Sequence, residues 1–93
     1  MASGRILRNM NITFKLFATL TDYLPSDARR ANQIELEVPE GATVLQVYTP
    51  YGLPDKMVHL VLVNGRYIAP EQRSTHVLQA GDALAIWPPI AGG

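Results

Sequence analysis

Only one stretch of this chain, Thr43 to Tyr48, carries apolar residues at helical spacing, and the segments on either side of it alternate with a period of two. A single short helix covers only one face of a sheet, so the strands must share one core on that face. Thr43 is placed to cap the helix, Val44, Leu45 and Val47 are its core set, and Gln46 stands where its side chain completes a capping box. Pro50 lacks a backbone donor and Gly52 follows it, which limits the helix to about two turns before an irregular stretch through Leu53-Pro54-Asp55.

The strands follow from alternation. Ile12, Phe14 and Leu16 interleave with Thr13, Lys15 and Phe17, and Ile34, Leu36 and Val38 with Glu35 and Glu37. The two runs form an antiparallel pair, with the glutamates on a solvated face. Leu20 to Leu24 is expected to make a helical turn, and Pro25 to Asn32 a polar loop. His59 to Val63 is nearly continuous in apolar residues, as expected of a central strand covered on both faces. Asn64-Gly65 predicts a tight turn of positive φ into a short strand at Arg66 to Ala69, and Val77 and Leu78 are expected to be buried anchors. Gln79 to Asp82 turns into a last strand, Ala83 to Trp87. The order of strand, strand, helix, strand, short strand, strand predicts an α+β fold of β-grasp type: a mixed sheet with one main helix on one face. In that arrangement the first and last strands are neighbours, which brings Phe17 toward Trp87, and toward Tyr67, on the face without a helix. An aromatic patch there is read as a docking surface formed by Phe17, Tyr67 and Trp87.

Composition narrows the function. Eight basic and eight acidic residues give a net charge of +0, so the chain has no electrostatic footprint for nucleic acid or an anionic membrane. Cysteine is absent, which excludes thiolate nucleophiles, and His59 and His76 are lone residues without ligand spacing, so no metal site is expected. No apolar run approaches the roughly 20 residues of a membrane span and no signal-peptide core is present, so a cytoplasmic protein is expected.

The last strand runs into Pro88-Pro89-Ile90-Ala91-Gly92-Gly93. Proline fixes φ and glycine frees it, so the order reads as an arm that leaves the body in a set direction and becomes thin and pliant at its tip. Gly93, through its carboxylate, is read as the group that carries the chemistry. From Pro89 onward the arm reaches on the order of 17 Å. The expected divisions are an extension at 1–9 without fixed structure, a β-grasp domain at 10–88 and a tail at 89–93.

The opening Ile12-Thr13-Phe14-Lys15-Leu16-Phe17-Ala18, the Val63-Asn64-Gly65 turn, the Gly81-Asp82 entry to the last strand and the ending Pro88 to Gly93 together resemble the MoaD/ThiS sulfur-carrier proteins, which have the ubiquitin-like β-grasp fold. The resemblance covers Met10 to Gly93, and the Pro-Pro lead-in is most similar to the small subunit of molybdopterin synthase. It implies that Gly93 is adenylated with ATP by an activating enzyme of the ubiquitin-activator type, and that a sulfur donor protein converts the adenylate to a thiocarboxylate. Gly92, Ala91, Ile90, Pro89 and Pro88 then carry it into the large subunit of a two-subunit sulfurtransferase. Phe17, Tyr67 and Trp87 match the family's apolar interface. The chain would bind no cofactor and catalyse nothing by itself. The N-terminal extension and the irregular Thr49-Pro50-Tyr51-Gly52 depart from the family pattern and leave the pathway open: a carrier for molybdopterin, for thiamine or for another sulfur-containing metabolite, a ubiquitin-like modifier, or a plain interaction module.

Overall fold

Alternation sets the first strand pair. In a computed structural model that describes residues 8–89, β1 (Asn9–Leu16) runs antiparallel to β2 (Gln33–Pro39), with Ile12 opposite Leu36 and Phe14 opposite Ile34. A slip of one residue would turn Ile12, Phe14 and Leu16, all buried, out to solvent, so the register is strongly specified. The ladder continues one residue beyond the strand, where the Glu40 N–H donates to the Arg8 carbonyl at 2.9 Å. The first strand therefore takes in Asn9, and residues 1–7 of the extension lie outside the described residues.

The sheet is completed by β3 (Leu60–Val63), β4 (Arg66–Tyr67) and β5 (Ala83–Trp87), in the order β2-β1-β5-β3-β4. β5 lies at the centre, parallel to β1 and antiparallel to β3. The expectation for β3 is corrected: it is fourth in the order, next to the two-residue β4, and among the described residues only one of its faces is covered. Val61 and Val63 are buried whereas Leu60 and Leu62 remain partly exposed. A run of four apolar residues looks the same whether one face is covered or two, and the main helix lies on one side.

Helix α1 (Val44–Tyr48) starts at the expected capping box: the Gln46 N–H donates to Thr43 Oγ1 at 3.2 Å and the Thr43 N–H donates to Gln46 Oε1 at 3.0 Å. It tightens into a single turn at Thr49–Tyr51, and Gly52 ends it in the left-handed region at φ 73°. Val44, Val47 and Tyr48 are buried, the i, i+3, i+4 set of one face. Leu45, expected in the core, is 36% exposed, because it lies about 100° around the helix from Val44. Val77 is corrected for a similar reason: it is 44% exposed while Leu78 is 1% exposed, since neighbours in an extended segment point to opposite sides.

The core is the sandwich of Ile12, Phe14, Leu16, Val61, Leu84 and Ile86 with Val44 of the helix, joined by Leu20 of the helical turn at Ala18–Tyr23 and by Leu24, which caps that turn. The Tyr51 ring packs on Phe14 with centroids 4.9 Å apart, and burial pushes its phenol up from the usual tyrosine value. Asn64 (φ 52°) and Gly65 (φ 81°) make the expected tight turn. Asn64 Nδ2 also donates to Asp82 Oδ1 at 2.8 Å, its Oδ1 accepts from the Ala83 N–H at 2.9 Å, and Asp82 Oδ2 accepts from the Gln79 N–H at 2.8 Å. Two distant turns are thus clasped together at the start of the central strand.

Candidate functional site

The face of the sheet opposite α1 divides into two halves. On β1 and β2 it is polar: Thr13 Oγ1 donates to Glu35 Oε2 at 2.6 Å, and Asn9 Nδ2 donates to Glu37 Oε2 at 3.3 Å. These glutamates are solvated, cross-strand-paired groups, as expected. On β5, β3 and β4 the cross-strand partners are Trp87 with Leu60, Ala85 with Leu62 and Leu62 with Tyr67. That half is apolar.

The end of β5 is held from both sides. The Phe17 N–H donates to the Ile86 carbonyl at 3.2 Å, and the His59 N–H donates to the Trp87 carbonyl at 3.1 Å. The Phe17 and Trp87 rings lie face to face, centroids 4.2 Å apart and 1° from parallel. Such stacking contributes about 0.5–1.5 kcal/mol beyond the area it buries. Trp87 is therefore a fixed point. Pro88 is half-buried and Pro89 exposed, and neither can donate to a ladder, so pairing stops where the arm begins. The remaining arm residues expected to act, Ile90, Ala91, Gly92 and Gly93, lie outside the described residues.

Phe17 and Trp87 are brought together as expected. Tyr67 is not: it shares their face but stands two strands from β5 and two residues along, roughly 12 Å from Trp87 by strand spacing. At 53% exposure it forms the far rim of the patch, with Leu60 and Leu62 filling the gap. Sequence reasoning missed these two leucines because it gave β3 a second covering layer. It also missed Arg73, which is 7% exposed and whose Nη1 and Nη2 donate to the carbonyls of Val58 and His59 at 3.1 and 3.2 Å. Arg73 holds the strand segment that grips Trp87, and nothing in the polar run Glu71 to Ser74 distinguishes it from a surface residue.

What the arrangement can do is anchor an arm and offer an apolar platform beside its root. Among the described residues no group of three or more His, Asp or Glu side chains is placed to hold a metal ion, and no helix is long and apolar enough to cross a membrane.

Comparison with known proteins gives the same architecture a family. Residues 15–93 match the ThiS family. The HVO 2177 protein of Haloferax volcanii is 26% identical, with a TM-score of 0.70 over 91% of this chain and 88% of that one. Small archaeal modifier protein 1 of the same organism is 26% identical, with a TM-score of 0.63 over 87% of this chain and 99% of that one. A Pyrococcus furiosus protein described provisionally as molybdopterin converting factor, subunit 1, shares the fold at 22% identity, with a TM-score of 0.61 over 87% of this chain and 99% of that one. No curated protein sequence matches the chain. The chain belongs to the ThiS family of ubiquitin-like sulfur carriers, and its architecture is the β-grasp.

Proposed function

We propose that this member of the ThiS family is the sulfur-carrying small subunit of a molybdopterin synthase, acting through the carboxylate of Gly93 and not as a catalyst by itself. The observation that carries the reading is the double grip on Trp87 at the end of the central strand, beside an apolar platform. A carboxylate becomes a good electrophile only when one of its oxygens leaves easily. An activating enzyme supplies that by joining Gly93 to AMP, with pyrophosphate released from ATP. A sulfide equivalent from a donor protein then displaces AMP and leaves the thiocarboxylate. Glycines at 92 and 93 leave the reacting carbon unhindered. Ordering the arm in a partner's channel costs about 1–2 kcal/mol per residue. Pro88 and Pro89 lower that cost by restricting the free chain, and docking of Phe17, Leu60, Leu62, Tyr67 and Trp87 offsets the rest. The Pro-Pro lead-in favours the molybdopterin pathway over a carrier for thiamine or another metabolite. In a cytoplasmic setting the partners are the activating enzyme, the sulfur donor and the synthase large subunit.

The reading is tested by intact mass. After incubation with activating enzyme, ATP and sulfur donor, the mass rises by one oxygen-to-sulfur exchange; an unchanged mass with active enzyme counts against it. The likeness to small archaeal modifier protein 1 favours a second reading, in which the same activated Gly93 is passed to lysines. Conjugates bearing a Gly92-Gly93 remnant on lysine would support it.

A further inference from the structure

The outer edge of β2 has no neighbouring strand among the described residues, since β2 stands first in the sheet order. Its ladder with β1 is bounded by two bonds, from the Leu16 N–H to the Asn32 carbonyl at 3.0 Å and from the Glu40 N–H to the Arg8 carbonyl at 2.9 Å. Hydrogen-bonded positions recur every second residue in an antiparallel pair, so Ile34, Leu36 and Val38 bond inward to β1. The N–H and carbonyl groups of Gln33, Glu35 and Glu37 therefore point outward. Pro39 closes this free edge: it has no N–H, and its carbonyl accepts from the Ala42 N–H at 3.1 Å. Beside the edge, on the helix side, lies a groove of about 690 Å³ lined in part by Leu36, Val47, Pro50 and Tyr51. Helix α1 spans only five residues, and Ile34 and Leu36 stay partly buried at this margin of the core.

We infer that the free edge of β2 is a docking site for an extended segment of a partner protein in which lysine or arginine alternates with valine or isoleucine. A strand added there satisfies the outward backbone groups, and its period of two sends its side chains alternately to the two faces of the sheet. On the helix side they meet Ile34, Leu36 and the groove, an apolar surface suited to aliphatic groups. On the open side they meet Glu35 and Glu37. The hydrogen-bond donors to these carboxylates, Thr13 and Asn9, are neutral, so the negative charge is left for a cation on the incoming strand. Lys15 stands across from Gln33, at the end of β2 away from the groove. The same carboxylates argue against a second copy of the chain as the occupant. Antiparallel pairing of two β2 edges about Glu35 sets Glu35 against Glu35, and like charges directly opposite destabilise a strand pair. The charges that keep the edge from pairing with itself thus select a basic partner. Because β1 separates this edge from β5, a strand held there leaves Trp87 and the root of the arm free for another protein.

The test is an NMR titration of the isotopically labelled full chain with a synthetic peptide of alternating lysine and valine. Shift changes are expected at the amides of Gln33, Glu35 and Glu37 and at the side chains of Leu36, Val47 and Tyr51, with the Trp87 indole unmoved. The Glu35 and Glu37 amides should also become protected from hydrogen exchange. Combining Glu35→Lys with Glu37→Lys should weaken binding by about tenfold or more, and a peptide with glutamate in place of lysine should recover it. Two further peptides keep charge and apolar groups but carry methylated backbone nitrogens, one on the lysines and the other on the valines. The one methylated on its paired side should lose binding and the other keep it. Equal binding by the two would overturn the inference, as would an affinity indifferent to the charge reversal, shift changes centred on Trp87 and Leu62, or no shift changes at millimolar peptide. Shifts at Glu35 and Glu37 that grow with protein concentration in the absence of peptide would overturn it too, by making a second copy the occupant.

Discussion

The two halves of the open sheet face share one backbone and present opposite surfaces. On β1 and β2 the outward side chains answer each other: Thr13 donates to Glu35 and Asn9 to Glu37. On β5, β3 and β4 the outward residues Trp87, Leu60, Leu62 and Tyr67 have no covering layer among the described residues. The first half is satisfied by its own hydrogen bonds and by water. The second gains free energy only when another surface removes it from water, at about 25 cal/mol per Å² of apolar area. The arm starts in the second half, at the point where Phe17 and His59 hold Trp87. Platform and arm root are therefore one unit, and under the proposed function a partner docked on the platform meets Pro88, the root of the arm, at a fixed position.

The contrast can be broken most forcefully at Trp87. Trp87→Ala removes the stack and the centre of the platform, and its association with the activating enzyme or the large subunit is expected to weaken by about 2 kcal/mol or more, roughly 30-fold, by titration calorimetry. Asp82→Ala tests whether the platform depends on the clasp behind it. Leaving the Asn64 amide and the Gln79 N–H without their acceptor should cost about 1–3 kcal/mol of stability in urea unfolding, while association of the folded fraction is little changed. Tyr67→Ala trims the exposed rim and should cost about 1 kcal/mol of association or less, against no measurable change for Glu35→Gln in the polar half. A control from the opposite face is Tyr51, whose folded phenol is raised above the ordinary value of 10.0 by burial. The folded state holds that proton more tightly than the unfolded state. The contribution is complete below the unfolded value and is lost as pH rises through the folded one, so stability should fall on the alkaline side beyond about pH 10. Tyr51→Phe should flatten that fall without altering association.

Much of this was legible in the sequence because two periodicities and a few turn residues dominate it. The phase of Ile12, Phe14 and Leu16, the capping box at Thr43 and Gln46, the Asn64-Gly65 turn and the pairing of the first and last strands all follow from local patterns. The meeting of Phe17 and Trp87 followed from topology. What escaped depends on what packs on what. Leu60 to Val63 carries no mark of a missing second layer, so half of the platform went unrecognised. Tyr67 is on the correct face, but only the register Leu62 with Tyr67 reveals its distance from Trp87. Leu45 and Val77 are apolar residues left outside by rotation about a helix and by extended geometry. Arg73 is buried because two carbonyls at Val58 and His59 receive its guanidinium, contacts across 15 and 14 residues that no local pattern encodes. Gly92 and Gly93 were legible as composition, and their role rests on the proposal.

The central claim, that the apolar half is the surface a partner meets, is tested most directly by mapping chemical shifts of the labelled chain as it is titrated with the synthase large subunit. The account predicts changes at Phe17, Leu60, Leu62, Tyr67 and the Trp87 indole, with Thr13, Glu35 and Glu37 unmoved. Changes centred on Thr13, Glu35 and Glu37, with the Trp87 indole unperturbed at saturation, would contradict it.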